Sequence, residues 1–171
     1  MDKVYLGSSP FGQGVYARDK IQAGEIILAF SGPIITYEEA CAKGERQSVP
    51  LQTGIDQYMD LEDPGASLNH SCNPNAGVLG LELIALRSIK KDSEVRFDYS
   101  TMMHESYWTM DCRCESEHCR GVVEDFMKLP KDLQMGYISR CVVQPFILTA
   151  IARLDPIKNT DGKVASTKSE S

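Results

Sequence analysis

Cys112, Cys114 and Cys119 put three thiols within eight residues, and that crowding constrains the fold more than any other feature of the chain. At Cys-x-Cys-x4-Cys spacing one loop can bring three thiolates to a single tetrahedral ion, and zinc is the usual occupant of such a site. The local set lacks a fourth ligand. His118 is a rival, but it adjoins Cys119 and is awkwardly placed to share an ion with it. Buried, unligated thiols are the plainer alternative. Disulfides fit less well: the N-terminal MDKVYLGSSPFG has neither a basic region nor the apolar core of a secretory signal, and a reducing compartment favours metal over disulfide. Cys41 and Cys141 have no such neighbours and read as ordinary core or near-surface thiols.

Around this loop the chain reads as one globular unit, since 171 residues is the usual size of a single domain with small appendages. Gly12, Gly14, Gly24 and Gly32 break the first third into short extended segments, among them 15–17 and 25–30. A short helix is predicted over 37–43 and a strand over 57–61. Residues 76–79 and 81–86 form a predicted hairpin about Gly80, and 94–97 a further strand. Beyond the cysteines, 122–129, 132–139 and 142–154 carry apolar residues at helical spacing, interrupted by Pro130 and Pro145. The expected fold is therefore mainly β, small twisted sheets followed by a short α-helical C-terminal appendage. Residues 155–171 are poor in apolar side chains, so burial cannot offset their ordering entropy and a mobile, disordered tail is expected there.

Twenty-four acidic against 18 basic side chains give a formal charge of -6. That balance opposes general phosphate-backbone binding and suits a basic polypeptide partner. A small zinc module that binds nucleic acid is disfavoured for the same reason, there being no basic stripe. No stretch approaches the roughly 20 apolar residues needed to span a bilayer, so no membrane partner is expected. The expected location is cytoplasmic, or nuclear in a eukaryotic host.

Asn69-His70-Ser71-Cys72-Asn73-Pro74-Asn75 is the densest polar string, with five strong hydrogen-bonders and a thiol among its seven residues. Such groups are costly to bury without partners. Alone the string reads as a turn, because Asn-Pro initiates loops. Its company says more: Gly12-Gln13-Gly14-Val15-Tyr16-Ala17 lies upstream, Phe97-Asp98-Tyr99 downstream, and the cysteine run ending at Arg120-Gly121 follows. These four pieces, in that order, resemble the SET-domain lysine methyltransferases with a post-SET zinc cluster, over roughly residues 4–121. The Gly-x-Gly pair is weak evidence alone; the Asn-His-Ser-Cys-x-Pro-Asn string and the cysteine spacing are strong together.

The resemblance implies a SET fold in which small sheets surround a threaded C-terminal segment, although true threading is rare and nothing local predicts it. It divides the chain into a catalytic core (1–100), a zinc loop (101–121), the helical appendage (122–154) and the tail. It implies S-adenosylmethionine as cofactor, held by Gly12, Gln13, Gly14, Asn69, His70 and Trp108. Tyr107 and Trp108 either close over the cofactor or channel or pack in the core. Tyr99 takes the catalytic position, Phe30, Phe97 and Tyr58 wall the substrate-lysine channel, and Cys72 joins Cys112, Cys114 and Cys119 on Zn2+. Without the resemblance, Gly12 and Gly14 would be hairpin glycines, His70 a satisfied structural histidine, and Tyr99 a buried strand-end aromatic.

The reaction implied is an in-line displacement in which a neutral lysine amine attacks the methyl carbon of a sulfonium. It needs positioning and a dry channel more than a strong base, and it leaves no covalent enzyme intermediate. The substrate is a protein with an exposed lysine in a basic segment, histone or other. Two departures stand out. Ala66-Ser67-Leu68 lacks the basic residue often found before Asn69, and Phe30 stands where many members carry tyrosine. Phe30 and Phe97 remove hydroxyls that would crowd a methylated lysine, so di- or trimethylation is expected. The rival from another class is a non-catalytic SET-like zinc-containing protein-binding module; the presence of both the Asn-His pair and Tyr99 speaks against it.

Overall fold

The structure, a computed structural model, describes residues 2–44, 49–105 and 108–154. The expected tail at 155–171, and Tyr107, lie outside the described residues. Short strands dominate. An antiparallel hairpin, β1 (Val4–Ser9) with β2 (Gly12–Ala17), pairs Val4 with Ala17 and Leu6 with Val15. Val4 is buried, whereas Leu6, two residues on along the same face, is exposed. One three-stranded sheet runs β3 (Ile26–Ala29), β9 (Glu82–Ala85), β8 (Ala76–Leu79); another runs β4 (Ile34–Ile35), β6 (Gln57–Met59), β5 (Leu51–Gly54). The β8–β9 hairpin turns at Gly80, whose φ of 62° a glycine adopts without strain.

Among the described residues, the parallel pairing is that of β7 (Asn69–His70) with β10 (Arg96–Phe97), Asn69 opposite Arg96 and His70 opposite Phe97. It sets the polar string beside the Phe-Asp-Tyr segment, so the end of the core runs between β7 and the cysteine loop. β11 (Met110–Asp111) and β12 (Val122–Val123) close that loop at its base. The main core draws Val15, Ile27, Leu51, Leu68, Val78, Leu83, Val95 and Phe97 from every sheet but this last. Helix α1 (Tyr37–Cys41) starts on a capping box: the Glu39 N–H donates to the Thr36 hydroxyl, and the Thr36 N–H to Glu39 Oε2 at 2.8 Å.

The C-terminal part departs from its sequence pattern. Residues 122–129, expected as a helix, give the two residues of β12 and a single 3-10 turn over Phe126–Lys128. Val122 and Val123 instead pair with Asp111 and Met110, a use that suits β-branched residues. Two helices follow, α2 (Lys131–Ser139) and α3 (Pro145–Leu154). The expected break at Pro145 is the first helical residue of α3, where a missing N–H costs nothing. Phe126, Leu129, Tyr137, Val142, Val143 and Ile147 make a second core against Ile84 and Leu86. Val142 fits because Gly77 has no side chain: a Cβ there would lie 2.7 Å from Val142 Cγ1. Gln144 Nε2 donates to the Gly80 carbonyl at 2.8 Å, so the helices grip the β8–β9 turn.

Candidate active site and metal centre

Asp98 ends the extended run from β10, and its carboxylate accepts from the Ser100 N–H at 3.1 Å, capping the 3-10 turn Tyr99–Met102. That turn aims the Tyr99 ring back at β7, where its hydroxyl donates to the Leu68 carbonyl at 2.5 Å. Burial, and then the charge of Glu94, hold the phenol well above its ordinary range, so it stays protonated. Tyr99 packs on Phe97 with ring centroids 4.9 Å apart, and meets the His70 ring edge-on at 5.3 Å.

Tyr99 and Phe97 line a cavity of about 350 Å³ with Tyr37, Leu51, Tyr58, Met102, Glu105 and Trp108 among its other walls. Phe30 does not reach it: its ring lies 6.4 Å behind Phe97 and fills the space that Gly65 leaves, where a Cβ would come within 2.9 Å. Glu105, which no sequence motif marks, is the carboxylate in this wall. The Tyr58 hydroxyl donates to it. Burial, then the nearby charge of Asp125, raise its carboxyl to about 7.

Gly12, Gln13, Gly14, Asn69 and His70 stand together on the other side of Tyr99, outside that cavity. Asn69 Nδ2 donates to the Gln13 carbonyl at 3.0 Å and to Glu94 Oε1 at 2.7 Å, joining β7 to the β1–β2 hairpin. Gly12 serves the turn, with φ 105° and open space around it. Gly14 serves close approach, and what approaches is the Glu94 carboxylate, 2.6 Å from where a Cβ would be.

His70 is buried, and burial lowers its pKa to about 4, so it is neutral. The Tyr99 N–H points at Nδ1, 3.3 Å away. Asp98 Oδ1 lies 3.5 Å from the same nitrogen, and Nε2 lies 3.3 Å from Cys72 Sγ. The four ligand atoms of His70, Cys72, Cys112 and Cys114 lie within 4.8 Å of one another. Cys119, expected in the set, is exposed at its edge, with Sγ directed at the Cys112 carbonyl at 3.5 Å.

The donor chemistry suits zinc. Cys72 and Cys112 sulfurs are 3.7 Å apart, unbonded, and backbone N–H groups of Cys72 and Arg120 point at Cys114 Sγ and Cys72 Sγ, each at 3.4 Å. Burial opposes ionisation of Cys114, yet N–H donors from Cys72 and Ser116 outweigh it and bring the thiol down to about 7. Burial pushes Cys72 up to about 11 and raises Cys112 also, a penalty a cation would reverse. Three buried thiols, Cys72, Cys112 and Cys114, form the centre of this donor set, with His70 against Cys72 and Cys119 against the Cys112 carbonyl.

A β-rich core in which the Asn-His strand pairs in parallel with the Arg-Phe strand that leads into Asp98 and Tyr99, closed by a thiol loop, is the arrangement of a SET-type protein. The SET domain family matches residues 12–100, 89 of the 171 residues, and the chain belongs to that family. Histone-lysine N-methyltransferase ASHH3 of Arabidopsis thaliana is 29% identical over 154 residues, covering 78% of this chain and 42% of that protein. The H3 lysine-36 specific histone-lysine N-methyltransferase of Kluyveromyces lactis is 32% identical over 144 residues, 70% of this chain and 20% of that protein. This chain thus spans less than half the length of either relative. Among solved structures, ctPRC2 in an autoinhibited conformation bound to S-adenosylmethionine superposes with a TM-score of 0.52 at 21% identity, over 61% of this chain and 16% of that one. A humanized mutant of the Chaetomium thermophilum Polycomb Repressive Complex 2 bound to the inhibitor GSK126 gives 0.51 at 20%, over 60% and 15%. Among the described residues no helix is long and apolar enough to cross a membrane.

Proposed function

We propose that this chain is an S-adenosylmethionine-dependent protein lysine N-methyltransferase acting on a lysine in a basic segment, histone or other, in the cytoplasm or nucleus. The observation that carries the reading is the Tyr99 hydroxyl, held by the Leu68 carbonyl between the cavity lined by Phe97 and Tyr58 and the Gly12–Asn69 polar cluster. When bound, S-adenosylmethionine supplies a methyl group on a sulfonium. Gly12, Gln13, Gly14, Asn69 and His70 hold it by backbone and side-chain polar groups, and Trp108 flanks the cavity. Phe97 and Tyr58 wall the channel for the lysine stem, with Phe30 backing Phe97. Tyr99 orients the amine and excludes water from the reacting pair.

Cys72, Cys112, Cys114 and Cys119 hold a structural zinc that ties residues 101–121 to the catalytic core of 1–100, and the helical appendage of 122–154 braces both. Phe97 in place of tyrosine favours di- or trimethyl-lysine as product. The test is incubation of the purified protein with labelled S-adenosylmethionine and a mixture of histones and other basic proteins, read by mass spectrometry. Methyl-lysine on a substrate is expected. A protein that binds the labelled donor yet modifies nothing in a whole-cell protein mixture would instead be a binding module.

A further inference from the structure

Among the described residues that line the cavity of Tyr99 and Phe97, Glu105 carries its only charge. The chain after the Tyr99 turn is drawn there by β5, since the His104 N–H donates to the Gln52 side chain at 2.8 Å and Gln52 stands opposite Tyr58 in the β5–β6 register. The Tyr58 hydroxyl donates to Glu105 Oε2, and the Tyr37 ring of α1 lies 6.0 Å from that of Tyr58. Oε1 is left for a ligand. Among the described residues no basic side chain pairs with this carboxylate. The charge it feels is of its own sign: burial and then Asp125, itself 3% exposed, raise the carboxyl to about 7. A partly desolvated carboxylate beside a second acid and without a counter-ion is costly. A cation brought into the cavity relieves that cost, and the two tyrosine rings favour the same charge.

The lysine to be methylated does not suit this role. It must lose its proton to attack, and a carboxylate against it would hold the proton on. The two polar groups of the wall are also fixed by different elements, the Tyr99 hydroxyl by Leu68 at the start of β7 and Glu105 by Tyr58 on β6. There is room for both: a lysine stem, at about the 30 Å³ that each molecule takes in liquid water for each heavy atom, fills roughly 150 Å³, and the cavity holds about 350 Å³. We infer that Glu105, with Tyr37 and Tyr58 beside it, reads a second cation of the substrate, an arginine or lysine side chain close in sequence to the target lysine, and so sets which lysines are methylated. The inference rests on the methyltransferase reading given above.

The test starts from a lysine whose methylation is mapped by mass spectrometry in a whole-cell protein mixture, and uses the protein that carries it as substrate. Replacing the basic neighbour of that lysine by glutamine is expected to raise KM roughly ten- to a hundredfold, as loss of a hydrogen bond to a charged group does, with a much smaller effect on kcat. In Glu105→Gln the same replacement is expected to change KM by no more than about twofold, because both changes remove one interaction. Glu105→Lys is expected to prefer a substrate with glutamate at the neighbouring position, a gain that damage to the fold does not produce. Should Glu105→Lys not fold, Glu105→Gln, of nearly unchanged volume, decides. Additive effects, or a mapped lysine without a basic neighbour, would overturn the inference and leave the methyltransferase reading intact. A fall in kcat for Glu105→Gln whatever the neighbour would also overturn it, by placing the carboxylate on the target amine. No methylated lysine in the mixture would instead remove the methyltransferase reading, and the role of Glu105 with it.

Discussion

The Tyr137 hydroxyl, on α2, donates to Asp98 Oδ2 at 2.7 Å and so fastens the C-terminal helices to the residue that precedes Tyr99. Asp98 is 1% exposed and also takes a two-pronged bond from Arg120, at 2.7 and 2.8 Å. Burial, then the Asp98 charge, hold the Tyr137 phenol well above its usual range, so it remains a donor. Three segments thus converge on one buried carboxylate: the end of β10, the thiol loop and the appendage.

Tyr137→Phe is expected to lower stability by about 1.5–3 kcal/mol, the usual worth of a hydrogen bond to a charged group. Asp98→Asn should cost more, about 3–5 kcal/mol, because it removes the buried carboxylate that pairs with the half-buried Arg120 and accepts from Tyr137. Chemical denaturation measures both. An unchanged midpoint for Tyr137→Phe would show that the helices do not brace this site.

The purified protein is expected to carry one zinc, and removing it with a chelator should lower the thermal midpoint. Cys114→Ser and Cys119→Ser should each reduce bound metal, whereas His70→Gln should keep the stoichiometry and weaken affinity by about 10- to 100-fold, as outer partners of ligands do. Elemental analysis of the four proteins checks this. Full loss of metal in His70→Gln with none in Cys119→Ser would make the histidine a ligand.

Tyr99→Phe should reduce methyl transfer on the order of 100-fold or more while cofactor affinity, read by calorimetry, changes only a few-fold, since the hydroxyl acts on geometry at the reacting atoms. Near-normal turnover would take Tyr99 out of the chemistry.

Phe97→Tyr introduces a hydroxyl beside Tyr99, 4.9 Å away between rings. Burying that hydroxyl, or a water on it, against a methylammonium should cost about 1–3 kcal/mol. The product is then expected to shift toward monomethyl-lysine in a mass-resolved time course. Accumulation of monomethyl product alone by the unmodified protein would refute the widened channel.

Glu105 gives a pH dependence of defined sign. Its folded-state pKa, raised to about 7 by burial and by Asp125, exceeds the unfolded value, so ionisation opposes folding. Stability from this group is fully present below the ordinary glutamate pKa of about 4.3 and is lost as pH rises through about 7. Glu105→Gln should flatten that slope in denaturation curves taken at about pH 5 and about pH 8. An unchanged slope would mean that the carboxyl titrates as if in water.

Much of this was readable along the chain. The hairpin in 76–86 about Gly80, the short helix beginning at Tyr37, and the gathering of Cys112 and Cys114 all depend on neighbours a few residues apart, and each appears in the structure where the pattern placed it. The strand β1 went unread, since Gly7, Ser8 and Ser9 dilute its pattern and its partner β2 supplies the order. The helix expected at 122–129 went wrong because the same apolar residues close the thiol loop as β12 and fill the second core through Phe126. His70 was marked by its motif, but its place against Tyr99 and Cys72 was not: the parallel register sets it opposite Phe97, and the Tyr99 N–H meets Nδ1. Glu94, Arg96, Glu105 and Tyr137 carried no local signal at all. Backbone preference and ligand spacing are short-range properties written in adjacent residues, whereas burial and the pairing of charges depend on which distant segments meet, and that is settled when the sheets, the thiol loop and the helices pack together.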